Sequence, residues 1–488
     1  MRSAGSLAFS RTASSCSASI VGGPPLQATF TASTSSSSRT SISRRCSYNR
    51  LGTTDVFCSV AAVGVSSLAR TSSARTFSSS TRTRIHKNRT TTTSTSSRRA
   101  FSSTSPLLFT PGPLTTSTAV KNALLQDVGS RDPYFLKKMH EVRAMLVAGA
   151  QGGAATHDCV LIQGAGTHAI ESVLGSVLAP EKSSSGANVP KVLILNNGAY
   201  GVRQKQICDT LNLAYESIDY PDDQAVSAED LERRLDLPDG GTFTHVSFIH
   251  HETTAGVINP LTAICEMLQR KFPHLHAIVD SMSAFGAYEV DLSDKHRCVK
   301  YLISSANKCV EGVPGFAFCV YEKAAMETLS GKKPKSLALD LYGQAKALTS
   351  GVMQFRFTPP TQAILAYHQA LLEWNAEGGW KGRGGRYKQN YEVIKQGLES
   401  MGLRFYVQDP HRGFIITTVL SPEHKNWDFQ FLYDFLAQRG FVIYPGKLAK
   451  ADSFRIGTIG KIFPADCENF LLVLRDGFRQ LGIPIPVQ

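Results

Sequence analysis

Three short stretches of the chain carry side chains whose type and position could do chemistry. The first is the glycine-rich turn 164–167, which joins an apolar run to a helical pattern. Backbone N–H groups at a helix start, together with a hydroxyl, form a seat for phosphate. The turn lacks the third glycine of a dinucleotide fingerprint and the lysine of an ATP-binding loop, so nucleotide-dependent enzymes lose support. Taken alone, it is explained equally well as a plain strand-to-helix connection.

The other two stretches each place one ionisable residue after an apolar run. Asp280 follows the run 276–279, and a carboxylate there can pair with a cationic ring nitrogen of a ligand. Its alternative role is that of a helix N-cap. Lys308 follows the run 301–303 and is flanked by Asn307 and Cys309 instead of charges. Most lysines are solvated, but burial here would lower the pKa of Lys308 and make it a nucleophile.

The turn 164–167, Asp280 and Lys308, which follow one another in this order, are most informative when they are considered together. A phosphate seat, then an aspartate for a pyridinium nitrogen, then a Schiff-base lysine are what pyridoxal 5'-phosphate requires of a protein. The combination is much more specific than any of its members, and it predicts this cofactor.

The elements that must position these residues follow from the hydrophobic pattern. Short apolar runs alternate with amphipathic helical patterns, at 159–163, 191–195, 245–249, 276–279, 301–303 and 316–321 for the strands and at 170–178, 206–213 and 261–271 for the helices. Such alternation predicts an α/β fold with a mostly parallel sheet covered on both faces. A long helix at 361–375, a glycine-rich turn and alternating elements over 387–482 predict a smaller α+β part.

The chain therefore divides into three predicted parts. Residues 1–105 form a disordered targeting leader, residues 106–365 a large cofactor-binding domain, and residues 366–488 a small C-terminal domain. In this division, the N-terminal segment of the large domain can pack on the small domain.

The excess of positive charge lies in the predicted leader and not in the rest of the chain. Of 52 Lys and Arg, 14 lie in residues 1–105 beside a single acid, which leaves 38 bases and 38 acids in the remainder of the 488 residues. The formal charge of +13 thus does not indicate a nucleic-acid-binding protein. No run reaches the length of a membrane span, and we expect no membrane partner.

The leader is rich in Ser, Thr and Arg and poor in acids, which is typical of an organelle transit peptide. The sequences RTFS at 75–78 and RAFS at 99–102 resemble sites cut by the mitochondrial processing peptidase. We expect mitochondrial import, with the plastid as the alternative because of the leader's length.

Metal chemistry finds little support. His245, His250 and His251 have suggestive spacing, but His250 and His251 point to opposite faces of a strand. Seven widely spaced cysteines follow residue 105 without a CxxC pair, so neither a zinc site nor a disulfide framework is expected.

The chain after residue 105 resembles the class V, fold-type I aminotransferase family, and in particular its members that act on 2-aminoethylphosphonate. The matching blocks extend from about residue 107 to the C-terminus, and they are TPGPLTT (110–116), LIQGAGTHAIE (161–171), NNGAYG (196–201), HHETTAGVINP (250–260), VDSMSAFGAYEVD (279–291), YLISSANKCVEGVPGFAF (301–318), RFTPPT (356–361), VIYPGK (442–447) and FRIGTIG (454–460).

The resemblance implies roles for the residues that would hold the cofactor. Lys308 would carry it as a Schiff base and then shuttle a proton, while Asp280 would keep its ring nitrogen protonated. The phosphate would be bound by Ala165, Gly166 and Thr167 and by Thr358 of a second subunit. Tyr200 would stack on the cofactor ring, and Thr254 would lie near its phenolic oxygen.

The resemblance also implies an activity and a dimer. Arg455 would clamp the carboxylate of pyruvate or alanine, and Arg131 is a candidate partner of the phosphonate, although it is equally well a surface residue. The expected reaction moves the amino group of 2-aminoethylphosphonate to pyruvate in a homodimer with shared sites. The alternative is an alanine–glyoxylate or other small-substrate transaminase of the same family. In two places the chain departs from its relatives, which often carry Ser at the positions of Ala165 and His251.

Overall fold

A computed structural model describes residues 105–180, 189–448 and 451–487. The predicted leader 1–105 lies outside these residues except for its last position. The described residues form one compact unit. Its strands are β1 Leu107–Leu108, β2 His157–Gly164, β3 Lys191–Asn196, β4 Ala214–Asp219, β5 His245–Ile249, β6 His251–Glu252, β7 Val257–Ile258, β8 His276–Asp280, β9 Val299–Ser305, β10 Gly315–Glu322, β11 Ile416–Leu420, β12 Phe441–Val442, β13 Tyr444–Pro445 and β14 Ser453–Gly457.

Helices alternate with these strands. They are α1 Thr118–Ala123, α2 Pro133–Gly149, α3 Gly166–Val177, α4 Ala199–Leu211, α5 Ala228–Leu235, α6 Leu261–Lys271, α7 Lys323–Glu327, α8 Leu341–Thr349, α9 Thr361–Ala376, α10 Gly379–Ser400, α11 Phe429–Gln438 and α12 Pro464–Gln480, with a short 3-10 helix at Gly240–Thr242. None of the helices among the described residues combines the length and apolar character needed to cross a membrane.

A seven-stranded sheet forms the centre, in the order β2-β10-β9-β8-β5-β3-β4. The pairs from β9 to β4 are parallel, whereas β10 is antiparallel to both of its neighbours. Since β10 alone is reversed, β2 points in the same direction as β9, and six of the seven strands end at one edge. The prediction of an α/β fold with a mostly parallel sheet is confirmed.

Two hydrophobic clusters account for most of the buried side chains. The larger surrounds the central sheet and extends from Val120 to Trp374, and the smaller lies around β11, β14 and α12. Phe109 belongs to the smaller cluster, and β1 just before it pairs with β12 in parallel. The domain boundary at residue 365 stays a prediction, because the described residues form a single compact unit.

The turn after α9 is shorter than the glycine-rich sequence predicts. The backbone turns only at Glu377 and Gly378, and α10 then begins at Gly379 and carries Gly382, Gly384 and Gly385 inside it. The reason is close packing, because a Cβ on Gly384 would overlap the carbonyl oxygen of Ala287. Glycine therefore lets this helix approach neighbouring backbone, and this packing offsets its low helix propensity.

Candidate active site

The shared strand edge of the central sheet holds an open cleft of about 770 Å³. Residues that directly follow the ends of β2, β3, β5, β8 and β9 line it, as expected where parallel strands end together. The cleft brings together six of the predicted site residues, Ala165, Gly166, Thr167, Tyr200, Asp280 and Lys308.

Lys308 lies half-buried three residues after the end of β9, just beyond a turn at residues 306–307. Its Nζ donates a hydrogen bond to the carbonyl oxygen of Pro111, 2.8 Å away. Gly112 has φ +109°, and a Cβ there would come within 2.9 Å of the Lys308 side chain, so the N-terminal segment covers the lysine closely. Burial lowers the pKa of Lys308 to about 8, which leaves a substantial fraction of the amine neutral near physiological pH.

A buried network holds the chain just after Lys308. Tyr387 and Arg383 on α10 both donate to the carbonyl oxygen of Cys309, at 2.9 and 3.0 Å. Arg386 pairs with the buried carboxylate of Glu311 at 2.6 Å. Because these charges are buried, their pairing orients the lysine-bearing loop against α10.

Asp280 ends β8 and faces the same cleft. Its Oδ1 accepts a hydrogen bond from the N–H of Met282 at 3.0 Å, as an N-cap would, and no described residue bonds to Oδ2. Burial, and to a smaller extent the nearby charge of Glu252, raises the pKa of Asp280 to about 7. A cationic ring nitrogen at Oδ2 would reverse this shift, because an opposite charge favours the ionised carboxyl.

The turn after β2 offers an anion seat. Gly166 and Thr167 open α3, where the first backbone N–H groups have no acceptor within the helix. Arg203, on α4, donates to the hydroxyl oxygen of Thr167 at 3.2 Å and so adds a cation to this seat. A Cβ on Gly166 would approach the sulfur of Met282 to 2.6 Å, so a larger residue there would have to displace the Met282 side chain.

The loop after β5 alternates its side chains between two faces. Ile249, His251 and Thr253 line the cleft, whereas Glu252 and Thr254 turn away from it. Thr254, predicted near the cofactor, donates instead to Glu252 Oε1 at 2.6 Å and is absent from the cleft wall. Glu252 also accepts from the N–H of Tyr200 at 3.2 Å, so this pair fixes the start of α4 and the stacking ring.

Cations without acidic partners surround the cleft. Arg455 donates to the carbonyl oxygens of Pro445 and Thr253, at 3.0 and 3.1 Å, and Lys447 Nζ lies 4.5 Å from the ring centre of Tyr200. No ion pair with an acid joins Arg203, Lys308, Lys447 or Arg455 in the part of the chain that the structure describes. Burial lowers the pKa of Lys447 and that of Arg455. The cleft is thus suited to ligands with several negative charges.

Two predicted residues lie elsewhere. Thr358 and Arg131 line a second cavity together with Arg356, and the carbonyl oxygen of Thr358 accepts from Gln163 at 3.2 Å. Neither side chain lines the cleft of Lys308. Among the described residues no group of His, Cys, Asp or Glu could hold a metal ion.

Sequence reasoning missed Arg203, Thr253 and Lys447. Arg203 follows Tyr200 by three residues on a helix and could have been found from that spacing, since i and i+3 share a face. Thr253 follows from the strand alternation that starts at Ile249. Lys447 carries no such signal, because its position depends on the packing of β13.

Comparisons with known proteins agree with this geometry. The class-V aminotransferase family matches residues 117–449. A 2-aminoethylphosphonate–pyruvate transaminase of Phocaeicola vulgatus is 39% identical over 370 residues, which cover 76% of this chain and 98% of that relative. One from Pseudomonas entomophila is 38% identical over 381 residues, covering 78% and 99%.

Solved structures share the fold. The ureidoglycine–glyoxylate aminotransferase of Bacillus subtilis superimposes with a TM-score of 0.69 at 24% identity, covering 79% of this chain and 96% of that one. From the family match and the relatives' identity over nearly their whole length, the chain belongs to the class-V aminotransferase family.

Proposed function

We propose that this enzyme transfers the amino group of 2-aminoethylphosphonate to pyruvate and releases phosphonoacetaldehyde and L-alanine. The observation that carries the proposal is the joint placement of Lys308, Asp280 and the anion seat in one cleft, which Arg203 also lines. Arg455 and Lys447 lie beside its wall, at Thr253 and Tyr200. Relatives at 38–39% identity bear the name of this activity.

Pyridoxal phosphate is the cofactor of this family, and the residues present fit it. Lys308 would hold its carbonyl carbon, the free Oδ2 of Asp280 its ring nitrogen, and the amides of Gly166 and Thr167 its phosphate. The donor set matches the ligand in charge, since a buried acid faces where a cation would lie and helix amides face where an anion would lie. The loss of a hydroxyl at Ala165 leaves its neighbours' amides in place.

When bound, this cofactor draws electrons from the amine-bearing carbon and makes its C–H bond acidic. Lys308 Nζ would take up and return that proton, which a pKa of about 8 suits. Asp280 would keep the ring nitrogen protonated. Tyr200, whose backbone N–H is held by Glu252, would stack on the ring and exclude water there.

Arg455 is placed to orient the carboxylate of pyruvate or alanine. Its Nε and Nη1 are already bonded to protein carbonyl oxygens, which fixes the guanidinium plane. A fixed guanidinium recognises a carboxylate through paired hydrogen bonds.

A panel of amino donors tests the proposal. The purified enzyme is assayed with 2-aminoethylphosphonate, alanine, serine and phosphoserine, each with pyruvate and with glyoxylate as acceptor. We expect the highest kcat/KM with 2-aminoethylphosphonate and pyruvate. Equal or better turnover of a donor without phosphonate would favour the alternative, an alanine–glyoxylate or other small-substrate transaminase.

We also propose a homodimer whose two active sites are shared. Thr358 and Arg131 share a separate cavity with Arg356, away from Lys308 of their own chain. A second subunit that applied this cavity to the cleft would bring a hydroxyl and two guanidinium groups to the bound anions.

Mixed dimers test the sharing of sites. Lys308→Ala and Thr358→Asp are each inactive in this proposal, the second because a carboxylate repels the phosphate. In a mixed dimer, one site then combines intact Lys308 with intact Thr358 from the other chain. The isolated mixed dimer should therefore have half the activity of the native dimer, and a coexpressed mixture in which the chains pair at random should have about one quarter. Sites contained within one chain would restore none.

The predicted import into mitochondria, with plastids as the alternative, remains part of the proposal. It rests on the Arg-rich, acid-poor composition of residues 1–105.

A further inference from the structure

One buried side chain at the cleft has no partner. His251 is only 2% exposed, and neither ring nitrogen forms a hydrogen bond with any described residue. Its neighbour His250 faces the opposite side and has Nδ1 3.2 Å from the hydroxyl of Ser281. A buried polar group without a partner is costly, so a ligand that supplies one would be bound more tightly.

The position of His251 is defined by its two neighbours on the same face. Ile249 pairs with Asp280 across the sheet, and the carbonyl oxygen of Thr253 accepts from Arg455 at 3.1 Å. All three residues line the cleft. His251 therefore lies between the end that holds a ring nitrogen and the end that clamps an anion, and the charge of Lys308 acts on its ring.

The ring is a neutral hydrogen-bonding group. Burial, and to a smaller extent the charge of Lys308, lowers the pKa of His251 to about 3. At pH 7 one ring nitrogen thus donates and the other accepts. The backbone makes room for this ring, because a Cβ on Gly413 would overlap Nε2.

The carboxylate and phosphonate substrates differ in the number of oxygens that need a hydrogen-bond donor. A carboxylate has two oxygens, and a guanidinium fork satisfies both. A phosphonate has three, and its phosphorus lies one C–C bond further from the amine-bearing carbon than the carboxyl carbon of alanine does. A third oxygen buried without a donor would weaken binding of the phosphonate alone.

We propose that His251 determines donor specificity by donating a hydrogen bond to the phosphonate oxygen that Arg455 leaves free. This inference rests on the proposed function and adds to it a residue that distinguishes a tetrahedral anion from a planar one.

Separate half-reactions test it in the cofactor-loaded enzyme. His251→Leu keeps the volume and removes the donor, and His251→Gln keeps an N–H donor. We expect His251→Leu to lower kcat/KM in the 2-aminoethylphosphonate half-reaction by about 10- to 100-fold and in the alanine half-reaction by less than about 3-fold. His251→Gln should recover most of the loss, and His250→Gln, on the opposite face, should behave like the native enzyme.

Equilibrium binding gives a second readout. The affinities of the unreactive analogues 2-hydroxyethylphosphonate and 3-hydroxypropionate are compared through the change in cofactor absorbance. His251→Leu should weaken only the phosphonate. Gly413→Ala, which displaces the ring without removing it, should produce the same selectivity if the His251 variants fold poorly.

The outcomes separate the two proposals. Equal losses in both half-reactions, or no loss in either, would overturn the role of His251 while the native enzyme still uses 2-aminoethylphosphonate. A native enzyme that ignores 2-aminoethylphosphonate and turns over another donor would overturn the proposed function itself.

Discussion

At the scale of residues, burial brings the pKa values of Asp280 and Lys308 close together. The pKa of Asp280 rises to about 7 and that of Lys308 falls to about 8, both chiefly because the charged form loses water. In the cofactor-free cleft both groups therefore titrate near pH 7 to 8, whereas a cationic ring nitrogen beside Asp280 would lower its pKa and keep it ionised. Groups whose pKa values lie near the working pH are efficient in proton transfer.

The shift at Lys308 predicts a pH dependence for cofactor capture. Because only the neutral amine attacks a carbonyl, the rate at which the apoenzyme captures pyridoxal phosphate should rise with pH. It should level off above about pH 8, where the lysine is mostly neutral. Stopped-flow absorbance measures this rate, and Lys308→Ala is the control that lacks the covalent phase. A midpoint near the ordinary value of 10.5 would show that the lysine is solvated.

The position of a residue in the fold could be predicted from the sequence where it depends only on the end of the preceding strand. Lys308, Asp280 and the turn 164–167 each follow an apolar run, so their arrival at one edge follows from parallel strands. Thr254 was predicted at the cofactor, but Thr253 lines the cleft, because a step of one residue along an extended segment changes the face. The surroundings of Thr358 and Arg131 depend on parts of the fold that no local pattern contains.

At the scale of elements, apolar periodicity predicted six of the seven strands of the central sheet and the helices α3, α4, α6 and α9, since each buries an apolar side. It did not predict the edge strand β4, which is only half-buried. It did not predict the first half of α10, because the five glycines between Gly378 and Gly385 indicate a turn by propensity. Packing decided otherwise. Arg383 and Arg386 reach the buried Glu311 from this half, and small residues between them allow the close approach.

Neighbouring glycines in α10 make a matched pair for testing this account. Gly384 is buried, and a Cβ there would overlap the carbonyl oxygen of Ala287, whereas a Cβ on Gly385 would meet no atom within 4 Å. Gly384→Ala should destabilise the enzyme by about 1–3 kcal/mol. Gly385→Ala should stabilise it by about 0.5–1 kcal/mol, because alanine loses less backbone entropy. Urea unfolding monitored by circular dichroism measures both, and equal effects at the two positions would contradict the packing account.

At the scale of the whole molecule, charge is divided unevenly along the chain. Residues 1–105, the predicted leader, carry 14 bases and one acid, and the rest is balanced at 38 of each. We therefore expect the enzyme to attract its anionic substrates with a few cations in and beside the cleft instead of an overall positive charge.

Removal of residues 1–105 should separate these two properties. The shortened protein should focus near neutral pH instead of near 9.2 and should keep the kcat/KM of the full chain. Isoelectric focusing and the donor assay measure this. The leader fused to a fluorescent protein should enter mitochondria, and replacement of its arginines by glutamine should leave the fusion in the cytosol. Loss of turnover on truncation would assign the leader a part in catalysis.

The pairing of β1 with β12 has a consequence for how the enzyme reaches its active form. Leu107 needs Phe441 as its partner, and Pro111, which begins to cover the lysine just after β1, lies 197 residues before Lys308. Contacts so distant in sequence form late and slowly, after the loops between them have closed. We therefore expect the segment that covers Lys308 to settle in place only after β12 has been synthesised. A chain arrested before residue 441 would contain Asp280 and Lys308 but would lack the strand that holds β1.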